Sequence, residues 1–345
     1  MPGPPWDRDL KGTFEKLTVE SEFLAGNPLS DPSRRPLYVY LPPGLEDGAT
    51  YPTVYVIQGM VGQLDMWLAR GMFEPTMIER VDELFSDESL PRAVVVFVDA
   101  WTSYGGSQFI NSTSTGRYLD YLCDEVVPFI DERYPVDAAR DRRGITGKSS
   151  GGYGAMVVPM LRPDVFGALA SHAGDSLFEV CYQVDFPKAA RILRDSFEGS
   201  YDVFWERLRA ADRFDFELFA HPLDLYAMGA CYSPDPDELG KALIPFEIST
   251  GRLIPEVWEQ WLRWDPVRMA PGKIEVLKSM KGIYLDAGKS DEYYLDLGAQ
   301  AFSNELTKGG VDHTLILFDG THSGLTYRYP EAVRFLAEAL SGGVE

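Results

Sequence analysis

The stretch RRGITGKSSGGYGAM, residues 142–156, runs from a short β-branched segment through small residues into a segment without charge. A strand that turns sharply into a closely packed helix needs that order, because glycine and serine let the two backbones approach. Two kinds of site use such a turn. A phosphate-cradling loop requires Gly-x-x-x-x-Gly-Lys-Ser/Thr, and counting back five from Gly147 reaches Arg142 where the first glycine should stand. The nucleophile turn Gly-x-Ser-x-Gly instead fits Gly147-Lys148-Ser149-Ser150-Gly151 without a gap. Centring it on Ser150 would put Lys148 in a glycine position. Ser149 is therefore the candidate nucleophile, and the backbone N–H of Ser150 is a candidate oxyanion donor.

The rest of the chain supplies the frame for such a turn. PLYVYLP (36–42), TVYVIQG (53–59), AVVVFVDA (93–100), RGITG (143–147), GALASHAG (167–174), KGIYLDAG (281–288) and HTLILFDG (313–320) read as strands. Several are continuous apolar runs, which suits strands covered on both faces. Between them, GRYLDYLCDEVVPFIDERY (116–134) and YYLDLGAQAFSNELTKGG (293–310) have apolar residues near helical spacing. The expectation is an α/β fold, a mostly parallel central sheet flanked by helices. Residues 179–274 break the rhythm with helix-like segments such as YDVFWERLRAA and PEVWEQWLRW, and hold four of the seven tryptophans (Trp205, Trp258, Trp261, Trp264). They read as a helical insertion in a core made of 1–178 and 275–345. A cap over the site and a plain packing layer are both open.

Composition narrows the partners. The formal charge of −21, from 53 acidic against 32 basic residues, repels nucleic-acid phosphate and anionic lipid. No run of uncharged apolar residues is long enough for a membrane span. The first residues lack a basic segment followed by an apolar one, so a cytoplasmic protein is expected, although a trimmed secreted form would read the same. Cys123, Cys181 and Cys231 are widely spaced and odd in number, as for unpaired thiols. No cluster of His, Cys and carboxylates suggests a metal, and no organic cofactor is called for. The oligomeric state is not encoded.

A serine nucleophile needs an acid and then a histidine later in the chain. Of the four histidines (172, 221, 313 and 322), His322 follows the last predicted strand in LFDGTHSGLTY, on the edge where a base belongs. His313 opens that strand at its other end, His221 lies in the insertion, and His172 ends the strand after the turn. These three read as surface or packed histidines, with His172 also a candidate for lining the pocket. The acid should leave the strand KGIYLDAG, where Asp291 comes three residues after Gly288; Asp286 and Glu292 are the alternatives. Asp319 reads as turn chemistry. The second oxyanion donor should come from the loop IQGMVGQLDMW, where Gly59 permits a close turn and the Met60 N–H follows it.

The motifs PLYVYLPPG, YPTVYVIQGM, VVPFIDERYPV, GITGKSSGGYGAM, RPDVFGALASHAG and FDGTHS resemble the esterase D type of esterase. That family includes S-formylglutathione hydrolase, feruloyl and acetylxylan esterases, enterochelin esterase and the mycolyltransferases, all of the α/β-hydrolase fold. The resemblance covers roughly 12–178 and 275–340. It implies a triad of Ser149, Asp291 and His322, with Met60 and Ser150 as backbone oxyanion donors, acting without metal or cofactor on a small-molecule ester. Many relatives carry His-Gly where Gln58-Gly59 stands here, and Ser-Met-Gly-Gly where Ser149-Ser150-Gly151-Gly152 stands. Neither change removes a backbone donor.

The expected activity is a serine carboxylic-ester hydrolase working through an acyl-enzyme on a small to medium ester. An acyltransferase on the same triad, or a hydrolase-fold protein that only binds a partner, are the alternatives. Gln58, Trp67, Trp101, Tyr104, Asn111 and His172 are the candidates for contacting substrate, since they stand at or after predicted strand ends.

Overall fold

The computed structural model describes residues 9–71 and 74–342. Its main sheet has eight strands: β1 (Thr13–Glu20), β2 (Arg34–Leu41), β3 (Thr53–Ile57), β4 (Val94–Val98), β5 (Arg143–Lys148), β6 (Ala168–His172), β7 (Gly282–Gly288) and β8 (Thr314–Phe318). Their spatial order is β1-β2-β4-β3-β5-β6-β7-β8. β2 is antiparallel to both β1 and β4. Every pairing from β4 through β8 is parallel. This is the α/β-hydrolase architecture.

Strands β2 to β8 lie where apolar runs stand in the sequence. β1 is additional: TFEKLTVE carries three charges, Glu15, Lys16 and Glu20, and it is buried mainly along one side, as an edge strand is.

The principal helices are α1 (Met77–Leu84), α2 (118–131, whose middle, Tyr121–Val126, is π-helical), α3 (Ser150–Leu161), α4 (Phe186–Ser196), α5 (Tyr201–Ala210), α6 (Phe216–Tyr232), α7 (Pro255–Leu262), α8 (Leu295–Gly309) and α9 (Tyr329–Ser341). α1 and α9 cover one face of the sheet, and α2, α3 and α8 the other. Alternation within a strand shows why both faces must be apolar. Val94, Val96 and Val98 of β4 join one apolar cluster, while Val95 and Phe97 join the opposite one.

Residues 179–274 hold α4 to α7, shorter turns and two isolated bridges, and among the described residues no strand of the main sheet. Side chains start two of these helices: Ser200 accepts from the N–H groups of Asp202 and Val203, and Asp215 from that of Leu218. Most of the aromatics point inward. Trp261 is fully buried against Tyr182, Tyr232 and Phe186, and Trp205 packs on Tyr104 and Tyr226. The segment shares one continuous apolar cluster with α3 and the sheet.

Candidate active site

The turn between β5 and α3 has the strain that its sequence suggests. Ser149 sits at φ 59°, ψ −125°, a region that non-glycine residues seldom occupy. Its N–H is tied to the carbonyls of His172 and Ala173, at 3.0 and 3.1 Å. A Cβ on Gly147 would lie 2.5 Å from the carbonyl carbon of Gly151, and one on Gly151 would lie 2.5 Å from the Ile57 carbonyl oxygen. Both glycine positions of the motif are thus fixed by backbone contact, and Ser149 is lifted off the end of β5.

Three side chains converge there from the carboxyl ends of separate strands. His322, four residues past β8, has Nε2 3.1 Å from Ser149 Oγ. Its Nδ1 lies 2.8 Å from Asp291 Oδ2. With Nδ1–H donating to the carboxylate, Nε2 is free to accept the serine hydroxyl proton. The other Asp291 oxygen accepts from the N–H of Tyr293 at 2.9 Å and of Leu295 at 3.4 Å, where α8 begins. The start of α8 therefore orients the carboxylate while leaving Oδ2 for the imidazole. The Tyr293 ring lies edge-on to His322, centroids 4.9 Å apart.

The alternative acids are engaged elsewhere. Glu292 accepts the His322 backbone N–H at 2.8 Å. Asp286 bonds His172 Nδ1 at 2.7 Å, Tyr284 OH at 3.0 Å and Arg328 Nε at 3.0 Å. Asp319 is an exposed partner of Lys289.

The loop after β3 lies against the turn: a Cβ on Gly59 would be 3.0 Å from the Lys148 carbonyl oxygen. Gln58 is buried and donates from Nε2 to the Gly62 carbonyl at 2.9 Å. It braces this loop and does not line the cavity. Met60 does line it, as does Ser150, whose Oγ donates to Asp175 at 3.3 Å.

Among the remaining candidates for substrate contact, only Trp67 borders the cavity, from a buried position against Phe97 and Tyr329. Trp101, Tyr104, Asn111 and His172 do not, and the reasons are local. The Trp101 carbonyl accepts from Arg35 and Tyr118. Tyr104 donates to the Gly240 carbonyl at 2.7 Å, holding the insertion to the core. Asn111 is exposed and caps the start of α2 through the N–H groups of Leu119 and Asp120. His172 is fully buried beneath the site. His313 is bound to Ser303 and the Val311 carbonyl. His221 differs from its reading as a surface or packed residue: it is half-buried, lies 3.1 Å from Asp185 and borders the cavity.

The cavity holds about 380 Å³. Ser149, His322 and the 59–62 loop form one end. Asp185, Phe214, Phe216, His221 and Asp224, all from residues 179–274, line the cavity as well. So does Asp175, accepting from Tyr182 OH at 2.8 Å and Gln108 at 3.1 Å; burial pushes its carboxyl up in spite of those donors. Burial pulls the Lys148 ammonium down, although Asp291, Asp175 and Glu292 favour its charge. Asp175 follows directly on SHAG at the end of β6, so the strand-end rule that located Asp291 was sufficient to flag it. No comparable signal marks Asp224.

Among the described residues no group of three His, Cys, Asp or Glu side chains is placed to hold a metal ion. No helix among them is long and apolar enough to cross a membrane. The three cysteines are free and buried.

Comparison with known proteins follows this geometry. The chain is 26% identical over 178 residues to the uncharacterized protein YbbA of Bacillus subtilis, covering 46% of this chain and 61% of the relative. It is 25% identical over 143 residues to S-formylglutathione hydrolase of Mus musculus, covering 39% of this chain and 50% of the relative. The matched stretches thus span less than two thirds of either curated relative. A solved ferulic acid esterase superposes with a TM-score of 0.62 at 17% identity, over 96% of this chain and 100% of that one, a likeness of fold. The family described as "Putative esterase" matches residues 31–328, and the chain belongs to that family.

Proposed function

We propose that the protein hydrolyses small to medium carboxylic esters through an acyl-enzyme on Ser149. The observation that carries this reading is the hydrogen-bonded line from Asp291 through His322 to Ser149 on the wall of a cavity. His322 Nε2 takes the hydroxyl proton as Ser149 Oγ attacks the ester carbonyl carbon. Asp291 holds the imidazole in the tautomer this requires and stabilises the cation that forms. The N–H groups of Met60 and Ser150 receive the developing oxyanion, a contribution of about 2.7–4 kcal/mol for each donor in such sites. His322 returns the proton to the departing alcohol. Water, deprotonated by the same imidazole, then attacks the acyl-enzyme and releases the acid.

The cavity volume suits one small ligand, within the usual range of about 300–1,000 Å³. In this reading 1–178 and 275–345 form the hydrolase core, and 179–274 is a cap that closes the cavity. S-formylglutathione hydrolase and ferulic acid esterase, by their names, act on a formyl thioester and on ferulic acid esters, so neither fixes the acid here.

The test is intact-protein mass spectrometry after treatment with a fluorophosphonate, followed by peptide mapping. One adduct on Ser149 is expected. It should vanish in Ser149→Ala and persist in Ser150→Ala. Labelling of Ser150, or none on folded protein, would defeat the proposal.

A further inference from the structure

The proposed hydrolase site leaves one carboxyl group without a counterpart. Asp224, on α6, faces the cavity and has no hydrogen-bond or ion-pair partner among the described residues. The charged groups acting most strongly on it are two other acids, Asp175 and Asp185. Burial, reinforced by those acids, pushes its carboxyl well above the ordinary range. The only Lys or Arg among the described residues bordering the cavity is Lys148, which faces Asp291, Asp175 and Glu292 instead. Asp185 already has His221, 3.1 Å away. A fold that buries a carboxylate normally supplies a cation or several donors, since an unpaired buried charge is costly. Here that partner is missing on the side open to substrate.

A second feature borders the same cavity. Phe214 and Phe216 are 52% and 59% exposed, although large aromatics of a monomeric domain are usually covered, and both border the cavity. Tyr293 borders it too, and its hydroxyl is influenced by Asp224 and Asp185. Aromatic faces around a carboxylate are the arrangement that receives an ammonium group, by combining ring quadrupole and counter-ion. The chain's net charge of −21 also draws cations toward the protein.

We propose that the enzyme selects esters bearing an amine cation, with Asp224 as the counter-ion and Phe214, Phe216 and Tyr293 as the aromatic rim of the cation subsite. This rests on the ester-hydrolase reading and narrows its substrate class. The cation completes the ion pair that the cavity lacks, so it favours binding of the charged ester over a neutral one of the same shape.

Two isosteric pairs test it, one for each side of the ester bond. Acetylcholine against 3,3-dimethylbutyl acetate places the charge in the alcohol. The 4-nitrophenyl esters of 4-(trimethylammonio)butanoic acid and 5,5-dimethylhexanoic acid place it in the acyl group. In at least one pair the wild-type kcat/KM should favour the cationic ester by about tenfold or more. Asp224→Asn should bring that ratio to within about threefold of unity. Equal or better turnover of the neutral ester in both pairs overturns the inference and leaves the esterase reading standing, as does a preference that survives Asp224→Asn. The wild-type comparison needs no variant to fold. Turnover of none of the four, together with an unlabelled Ser149, overturns the esterase reading and this inference with it.

Discussion

Asp286 and His172 form a second carboxylate–imidazole pair, 2.7 Å apart and fully buried, whose side chains make no hydrogen bond to Ser149. The pair lies directly behind the site, with Asp286 on the strand that leads to Asp291. Arg328, six residues after His322, joins it at 2.9 Å. It therefore clamps the segment carrying His322 to the strand that leads to Asp291. A buried ion pair that loses one partner typically costs about 3–5 kcal/mol. Asp286→Asn should accordingly lower the urea midpoint strongly, while turnover by the folded protein falls far less than on loss of Asp291.

The same pair sets a pH dependence. Burial alone would raise the Asp286 carboxyl, but His172 and Arg328 outweigh it and hold the group below the ordinary carboxylate range. A depressed carboxylate contributes stability that is present above its unfolded value, about 3.9, and lost as pH falls through the folded value. Wild-type stability should decline below about pH 4 by this route, and the Asp286→Asn variant should decline less steeply there. Urea titrations at several acidic pH values check it; parallel curves would refute the linkage.

Asp291 and Glu292 both reach His322, one through the ring and one through the backbone N–H. Only the first fixes the tautomer. Asp291→Asn should reduce kcat by about 10⁴, the usual loss when the acid of such a triad is neutralised. Glu292→Gln retains an acceptor for the N–H and should stay within about tenfold of wild type. A dead Glu292→Gln beside an active Asp291→Asn would reverse the assignment of the acid.

What the sequence revealed and what it hid have physical causes. Runs such as VVVFV and the glycine spacing around Ser149 are local, and they carry the strand and the turn by themselves. Position past a strand end was also enough to bring Asp291 and His322 to one edge, because parallel strands all open there. The same rule misplaced Trp101 and Tyr104. The chain after β4 folds back in a short ribbon, Trp101–Thr102 with Gly105–Gly106, that carries both away from the cavity. β1 was missed because an edge strand may keep its charges. Asp224, Phe214 and Phe216 were out of reach, since helical periodicity in the insertion does not say which helix faces the sheet.

Lys148 stands in the turn beside Ser149 with no ion-pair partner among the described residues, and burial holds its ammonium below the usual lysine range. The charged form is thus less favourable in the folded protein than in the unfolded chain. A lysine lowered in this way costs stability at every pH below its unfolded value, about 10.4, and the cost fades as pH rises toward it. Lys148→Met keeps the length and removes the charge. It should raise the melting temperature at neutral pH, with the gain shrinking in alkaline buffer. Differential scanning calorimetry at neutral and alkaline pH decides; a lower melting temperature at neutral pH would mean the surrounding carboxylates already compensate the lysine fully.

Whether residues 179–274 move as a unit is an energetic question about their seam with the core. Trp261 lies inside the segment, one ring away from that seam: its indole N–H donates to Ser233 Oγ at 2.8 Å, and its ring packs on Tyr182 and Tyr232. Tyr232 in turn packs on Tyr153 of α3, the helix that follows Ser149. Truncating a buried tryptophan costs about 3–5 kcal/mol, so Trp261→Ala should weaken the protein substantially. Because the aromatic chain is continuous into α3, the loss should appear as a lower urea midpoint with a single transition and an unchanged slope. Backbone and aromatic circular dichroism should report the same midpoint. A separate early transition in Trp261→Ala would show instead that the helical segment unfolds on its own, and that closure of the cavity is a motion of the segment as a whole.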